Sequence, residues 1–191
     1  MAPTTEELDE LLLSCRYGEV EEVEEFAAKH GWDAIAAAKD ERGNTVLHMT
    51  SGNGHLDVLK VLLPHVPAAL LQQVNEAGSP PIHWAVLNNH VAIVQALVEV
   101  PEENGGGIQL LKQTNAAGRA AFSEAIFAAE GKEEVAGWIE GYLWKIEGGD
   151  DDEEEGAAAA AAAAPEGEEG AADAETELVV KAEELKVADK A

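Results

Sequence analysis

The chain has 191 residues and a formal net charge of −26, from 12 Lys and Arg and 38 Asp and Glu. This acidity disfavours direct binding to nucleic acids, which needs a basic surface, and docking on anionic membranes. The single cysteine excludes an intramolecular disulfide and a cysteine-rich zinc site, and it suits a reducing cytosol or nucleus. The N-terminus lacks a secretory pattern and no run of about 18 apolar residues is present, so we expect no membrane span.

An internal repeat occupies the first part of the chain. Residues 42–63 and 77–98 align without gaps, and two histidines of the first copy recur 35 residues later in the second. Each copy combines a glycine-containing turn, a short apolar helix and a second helix with an apolar stripe. The predicted stripes are Leu56, Leu59 and Leu63 in one copy and Val91, Val94 and Val98 in the other. A single helix pair cannot bury its stripe, whereas stacked copies can, so the pattern predicts an all-α solenoid.

Two weaker copies flank this pair. The segment 11–26 keeps the helices but lacks the turn and is strongly acidic, and a copy from Gly118 keeps its glycine and second helix. Terminal repeats are typically atypical because one of their faces meets solvent. The predicted organisation is an N-terminal capping repeat (1–39), a repeat (40–74), a repeat with an inserted loop (75–114), a C-terminal capping repeat (115–146) and a tail (147–191).

Three further features of these parts are predicted. The segment 100–107, which contains three consecutive glycines, is expected to form a solvent-exposed insertion between repeats. Trp138, Ile139, Tyr142 and Trp144 are expected to close the C-terminal end of the stack. Residues 147–191 carry 16 acidic and 3 basic residues and no aromatic residue, which predicts a disordered acidic tail. An isolated helix over 174–190 would be marginal in water, which leaves folding on a partner open.

The residues with chemical potential favour structural roles. His48 and His83 form a possible metal pair, yet both occupy one repeat position, where a histidine hydrogen-bonds turn groups. Cys15 lies among apolar residues and is expected in the core. The acidic run at 150–155 lacks the glycine and glutamate that a calcium loop requires. No nucleophile or phosphate-binding motif is present, so we predict no enzyme activity, no cofactor and no metal.

The repeat resembles the ankyrin repeat. Residues 45–50 read Thr-Val-Leu-His-Met-Thr and residues 80–85 read Pro-Pro-Ile-His-Trp-Ala, close to the signature Thr-Pro-Leu-His-x-Ala. The resemblance implies an all-α ankyrin-repeat solenoid of about four helix-turn-helix repeats with short β-turn tips, which binds proteins through its tips and first helices. The implied partner-binding residues are Glu41, Arg42, Asn44, Met49, Asn53, Glu76, Ser79, Trp84, Leu87, Asn88, Arg119 and Glu124. For Trp84, packing between first helices is the alternative to an interface anchor.

Acidic side chains form a second set of predicted contacts. Glutamates crowd the helix that follows Gly18, and like charges at helical spacing destabilise a helix modestly. Besides a solvated cap, this concentration indicates attraction of a basic ligand. The predicted acidic contacts are Glu21, Glu22, Glu24, Glu25, Asp150, Asp151, Asp152, Glu153, Glu154 and Glu155.

The order of these features resembles a narrower family. Four short repeats, the segment Gly-Lys-Glu-Glu-Val at 131–135 and the acidic run at 150–155 are similar to the fungal ankyrin-repeat chaperones dedicated to one small-subunit ribosomal protein, the KH-domain protein numbered three. The resemblance implies a monomeric chaperone in ribosome biogenesis, which shields the RNA-binding surface of a basic ribosomal protein and is both cytoplasmic and nuclear. Because no basic import signal is visible, nuclear entry would depend on the client. A generic ankyrin scaffold for signalling or transcription proteins and a histone-type acidic chaperone are the alternatives.

Overall fold

The computed structural model describes residues 2–127 and 131–146. Within these ranges the chain is helical, as predicted, with two isolated antiparallel bridges, Lys39–Thr45 and Thr114–Ala120, at turn tips. The helices are α1 (Thr5–Tyr17), α2 (Val20–His30), α3 (Trp32–Ala37), α4 (Val46–Asn53), α5 (Leu56–Leu62), α6 (Ala68–Leu71), α7 (Pro81–Leu87), α8 (Val91–Val98), α9 (Ile108–Lys112), α10 (Ala121–Phe127) and α11 (Glu133–Ile146). A 3₁₀ turn, Glu102–Asn104, lies between α8 and α9. The predicted tail, 147–191, lies outside the described residues.

The helices stack in two rows. The first helices α1, α4, α7 and α10 contact one another in chain order, and the second helices α2, α5, α8 and α11 do the same. Leu47 and Ile82 from the first row and Leu59 and Val94 from the second are fully buried. The core therefore lies between the rows and runs through every repeat, which confirms the predicted stacking of helix pairs.

The predicted apolar stripes match the buried faces of the second helices only in part: in α8, Val94 and Val98 are buried as predicted and Val91 is half-buried. In α5, Val58, Leu59 and Leu62 are buried, whereas Leu56 and Leu63 of the prediction are half-buried. Each second helix contacts its own first helix and a neighbouring second helix, so its buried face is wider than one stripe.

Three short helices, α3, α6 and α9, connect the repeats and were not predicted. Each contributes a buried aliphatic side chain, Ile35, Leu70 and Leu110 respectively. Helices of four to six residues are too short for a 3.6-residue period to be visible in a sequence.

The connection 100–107 corrects one prediction. Residues 101–104 are exposed, but the three glycines that follow are buried. A β-carbon on Gly105 would clash with the carbonyl of Ala68 in α6, and one on Gly106 would clash with the carbonyl of Val100. The glycines are needed for close backbone approach, so this part of the segment is packed structure instead of a solvent-exposed insertion.

The C-terminal helix α11 matches the prediction only in part. Ile139 is fully buried, and Trp138 stacks on Tyr142 with ring centroids 5.1 Å apart. Trp144 is 55% exposed, so its predicted role in closing the stack is wrong. It lies in the last turn of α11.

Candidate protein-binding site

Each turn tip is organised by one side-chain acceptor. Asp40 Oδ1 accepts the backbone N–H groups of Arg42 and Asn44 at 2.9 and 2.8 Å. Asn75 and Asn115 accept the corresponding N–H groups in the next two tips. Partial burial acts to raise the pKa of Asp40, but the hydrogen bonds from Asn44 and Arg42 prevail and hold it below its usual value. The tips are therefore preordered before any partner arrives.

The repeat histidines join adjacent repeats, which confirms their predicted structural role. His48 Nε2 donates to the Ser79 carbonyl at 2.9 Å, and His83 Nε2 donates to the Gln113 carbonyl at 2.9 Å. Both rings are fully buried, and burial lowers the pKa of each below its usual value. Each first helix is thus attached to the segment that precedes the next one.

Six of the predicted partner-binding residues line one cavity of about 430 Å³. This cavity, called here the first-helix groove, runs from the end of α1 across α4 to α7. Its predicted lining residues are Arg42, Asn44, Met49, Asn53, Trp84 and Asn88, and the sequence missed Arg16, Asp40 and Gly52.

Trp84 lines the first-helix groove and also packs between first helices, the alternative considered for it, while its role as an interface anchor stays a prediction. It packs on Gly52, where an added β-carbon would lie 2.6 Å from the indole ring, and it meets the His48 ring edge-on at 5.7 Å. The indole is nevertheless only half-buried and lines the groove. Gly52 is the residue that permits this close packing, and a glycine inside the predicted first helix was the available signal.

Two of the predicted contact residues are almost fully buried: Asn44, although it lines the groove, and Glu124, which does not, so the accessible surface predicted for these side chains is wrong. Asn44 is 4% exposed. Its side-chain amide donates to the Asp40 carboxylate and accepts a hydrogen bond from the Asn75 amide in the next tip. Glu124 is 6% exposed because it accepts from Asn115 at 2.5 Å and pairs with Arg119 at 3.6 Å. Both side chains hold tips in place, and the buried Glu124 carboxylate does not project from α10.

The other five predicted contacts do not line the groove. Glu41, Glu76 and Arg119 are exposed at the tips, and Leu87 is 39% exposed at the end of α7. Ser79 is half-buried and uses its carbonyl for His48. Their role in binding stays a prediction.

The predicted acidic contacts fall into two groups. Glu21, Glu22, Glu24 and Glu25 are all exposed on α2, and Glu22 accepts the Ser14 hydroxyl at 2.6 Å. The second group, at 150–155, lies outside the described residues. The acidic surface of α2 is therefore available to a partner, while its use stays a prediction.

Reactive chemistry is not evident in the part of the chain that the structure describes. Residues 2–127 and 131–146 contain no group of three or more His, Cys, Asp or Glu side chains that could hold a metal. Burial raises the pKa of the Cys15 thiol to about 12, which suppresses the nucleophilic thiolate. Over the same residues, no helix is long and apolar enough to span a bilayer.

Comparison with known proteins gives a consistent pattern. Residues 11–105 match the family model Ankyrin repeats (3 copies). The chain is 37% identical over 66 residues to the ankyrin repeat-containing protein ITN1 of Arabidopsis thaliana, and 34% identical over 60 residues to the ankyrin repeat-containing protein P16F5.05c of Schizosaccharomyces pombe. These matches cover 35% and 31% of this chain, and 11% and 40% of the relatives.

A solved structure matches more of the chain. The crystal structure of the yeast ribosomal protein Rps3 in complex with its chaperone Yar1 aligns with a TM-score of 0.65 and 26% identity. The alignment covers 78% of this chain and 99% of the matched chain. The likeness therefore extends beyond the residues that the family model matches.

Proposed function

We propose that this chain, which belongs to the ankyrin-repeat family, is a dedicated chaperone that escorts a basic small-subunit ribosomal protein during ribosome biogenesis and shields its RNA-binding surface. The observation that carries the proposal is the similarity to the Rps3–Yar1 complex, which covers nearly all of the matched chain. The proposed client is the ribosomal protein that corresponds to Rps3 of the matched complex. Because the curated relatives match over less than half of their length, the proposal rests on the structural likeness.

The charge of the chain supports the same role. A net charge of −26 attracts a basic client and repels RNA, so the chaperone competes with RNA for the client without binding RNA itself. The residues before 147 and those from 147 onward each carry half of this charge. Both parts therefore contribute to the field that a client meets.

The first-helix groove supplies the specific contact in this proposal. The half-buried side chains of Trp84 and Met49 line this groove, together with the exposed side chains of Asn53 and Asn88. A large aromatic side chain in a preformed groove is the typical anchor of a protein interface. Long-range charge then accelerates encounter, and the groove selects the client.

The same role implies the remaining parts of the proposal. The chain acts as a monomeric, non-catalytic binding module without a cofactor. It works in the cytoplasm and the nucleus, because ribosomal proteins are made in one compartment and assembled in the other. Fractionation of cells with and without the client tests whether nuclear entry depends on it.

Affinity purification from a lysate, followed by mass spectrometry, tests the identity of the client. We expect one free small-subunit ribosomal protein to dominate, and we expect the chain to keep that protein soluble when RNA is added. Recovery of histones, or of neutral signalling and transcription proteins, would replace this proposal with one of the two alternatives.

Trp84→Ala tests the groove. Loss of an interface anchor of about 2 kcal/mol weakens client binding about 30-fold. Trp138→Ala is a matched control, since it removes another half-buried indole from a helix outside the groove. Isothermal titration at matched salt, with circular dichroism as a check on folding, distinguishes the two. Equal loss of affinity in both variants would contradict the role of the groove.

A further inference from the structure

A second groove lies at the N-terminal end of the stack. This N-terminal groove has a volume of about 700 Å³, and all of its lining residues lie in α1, α2 and the turn between them. The two helices are joined by a two-residue turn and lie antiparallel. The face of α1 that carries Leu12 and Cys15 is buried and α1 packs against α4, whereas the N-terminal groove is lined by no residue of α4.

The apolar part of the lining of the N-terminal groove, called here the floor, is exposed. Leu13 is 46% exposed and Tyr17 is 64% exposed, and the half-buried ring of Phe26 lies beside them in the lining. Exposed apolar side chains that cluster in a concavity mark interaction surfaces, whereas isolated ones do not. Two antiparallel helices with an apolar seam between them offer the groove into which a third helix packs.

The lining of the N-terminal groove also contains five glutamates, called here the rim. The carboxylate of Glu7 is paired with Lys29, whose ammonium lies 2.6 Å away. The hydrogen bond from Lys29, together with those from Thr4, lowers the pKa of Glu7 to about 2. Four further carboxylates line the groove: Glu10, Glu19, Glu22 and Glu25. Over the residues that the structure describes, no cation lies within 4.0 Å of these four. The rim therefore holds negative charge that no described cation pairs, in the same lining as the apolar floor.

We propose that the N-terminal groove docks a basic amphipathic helix of a partner protein. Aliphatic side chains of that helix pack on Leu13, Tyr17 and Phe26, and its Lys or Arg side chains pair with the rim. A cation can also lie on the exposed face of Tyr17. This occupant does not depend on the proposed function, because any protein that carries such a helix fits the groove.

Charge complementarity selects this occupant over the two others that the chain itself could supply. A second copy of the protein would bring the same acidic rim, and the segment 147–191 carries a net charge of −13. Like charges that face one another across a contact cost free energy, whereas a basic helix removes the repulsion within the rim.

Fluorescence anisotropy with the full-length protein tests the proposal. The probe is a labelled peptide of about five helical turns, built from leucine and lysine with the leucines in one stripe. A peptide of the same composition with alternating leucines is the probe control, because it has the same charge but no helical stripe. At low salt we expect the striped peptide to bind at least about tenfold more tightly than the alternating one.

Two double variants test the floor and the rim. Leu13→Ser with Tyr17→Ala should weaken binding of the striped peptide at least about tenfold, the size expected for loss of interface anchors. Glu10→Gln with Glu25→Gln should weaken it about fivefold at low salt and much less at high salt. All four residues are exposed, so the variants should fold, and circular dichroism checks this.

The matched control is Glu21→Gln with Glu24→Gln, which removes the same charge from exposed positions of α2 that do not line the groove. We expect less than about a twofold change in this control. An equal loss in both charge variants, or a floor variant that binds normally, would overturn the proposal in favour of nonspecific attraction to acidic surface. Trp84→Ala should leave peptide binding unchanged, so failure of this proposal is separable from failure of the proposed chaperone role.

Discussion

The second and third repeats share a buried histidine but hold it differently. Nδ1 of His48 accepts from the N–H of Thr45 at 3.1 Å and lies 3.0 Å from its hydroxyl. The position of Thr45 is taken in the third repeat by Pro80, which has neither group. Nδ1 of His83 is accordingly buried without a hydrogen-bond partner among the described residues. The histidine of the second repeat therefore uses both ring nitrogens in hydrogen bonds, whereas the histidine of the third repeat uses only Nε2.

The two repeats differ again at the break between their helices. Gly54 has φ 79°, and a β-carbon there would lie 2.7 Å from the ring of His90 in the next repeat. Asn89 holds the same place in the third repeat with φ 58°. In the fourth repeat, Lys132 takes the position that His90 holds in the third. Its ammonium donates to the carbonyl of Leu87. Whether a side chain is tolerated at this break thus depends on which residue the following repeat packs against it.

The largest difference between the repeats should appear on removal of each histidine. We expect His48→Ala to lower the free energy of unfolding by about 3–4 kcal/mol, because it leaves a cavity and deprives the Thr45 N–H and the Ser79 carbonyl of their hydrogen-bond partner. His83→Ala should cost about 2 kcal/mol, since the lost ring had one hydrogen bond. Urea denaturation of both variants measures this. Equal losses would contradict the difference in their hydrogen bonding.

Exchanging the residues at the break should give a smaller but still clear effect. Gly54→Asn should cost about 2–3 kcal/mol, because its side chain meets the His90 ring and the chain adopts a left-handed conformation. Asn89→Gly should cost about 1 kcal/mol, the value of its hydrogen bond to the Val135 N–H. Thermal unfolding compares them, and adding His90→Lys to Gly54→Asn should recover part of the loss. No recovery would show that backbone strain dominates.

Giving the third repeat the threonine of the second should change stability by at most about 1 kcal/mol. In Pro80→Thr the new N–H and hydroxyl can bond His83 Nδ1, but the unfolded chain gains freedom when proline is lost. The informative quantity is the coupling with His83→Ala, expected to be about 1 kcal/mol in a double-mutant cycle. Additive single effects would exclude the restored hydrogen bond.

Acidification should weaken both repeats. Burial lowers the pKa of His48 and of His83 in the folded chain, while an unfolded histidine titrates near pH 6.5. The folded state thus binds fewer protons, and its stability is complete above about pH 6.5 and is lost as pH falls through the folded pKa values. Denaturation at pH 7.5 and 5.5 should show this loss, with a shallower pH dependence in His83→Ala. An unchanged dependence in that variant would contradict a role for His83.

The repeat architecture was predictable because the contacts that make it recur at a fixed period. His48 and His83 occupy equivalent places, so two aligned copies were enough to indicate stacked helix pairs. The packing of residues 105–107 was not predictable, because consecutive glycines look alike in a free loop and in a close backbone contact.

The candidate site was predictable to the extent that it follows the repeat positions. Met49 and Trp84 were placed by alignment and do line the first-helix groove. Glu124 was placed by the same rule, but its burial depends on Asn115 and Arg119 from the adjoining tip, and such partners are invisible to a periodic pattern. The N-terminal groove was also missed, since Leu13 and Tyr17 gain meaning only when α2 lies beside them.

The burial of Cys15 makes the protein its own reporter of opening. The thiol is fully buried in α1, and the hydroxyl of Thr50, in α4, contributes to its pKa. Alkylating reagents attack thiolates that they can reach, so modification requires an opening that exposes the thiol, such as separation of α1 from α4. Because the chain has a single cysteine, the rate at which the protein gains the mass of the reagent reports how often the thiol becomes accessible, without any introduced label. A client that binds across both repeats should slow the alkylation of Cys15.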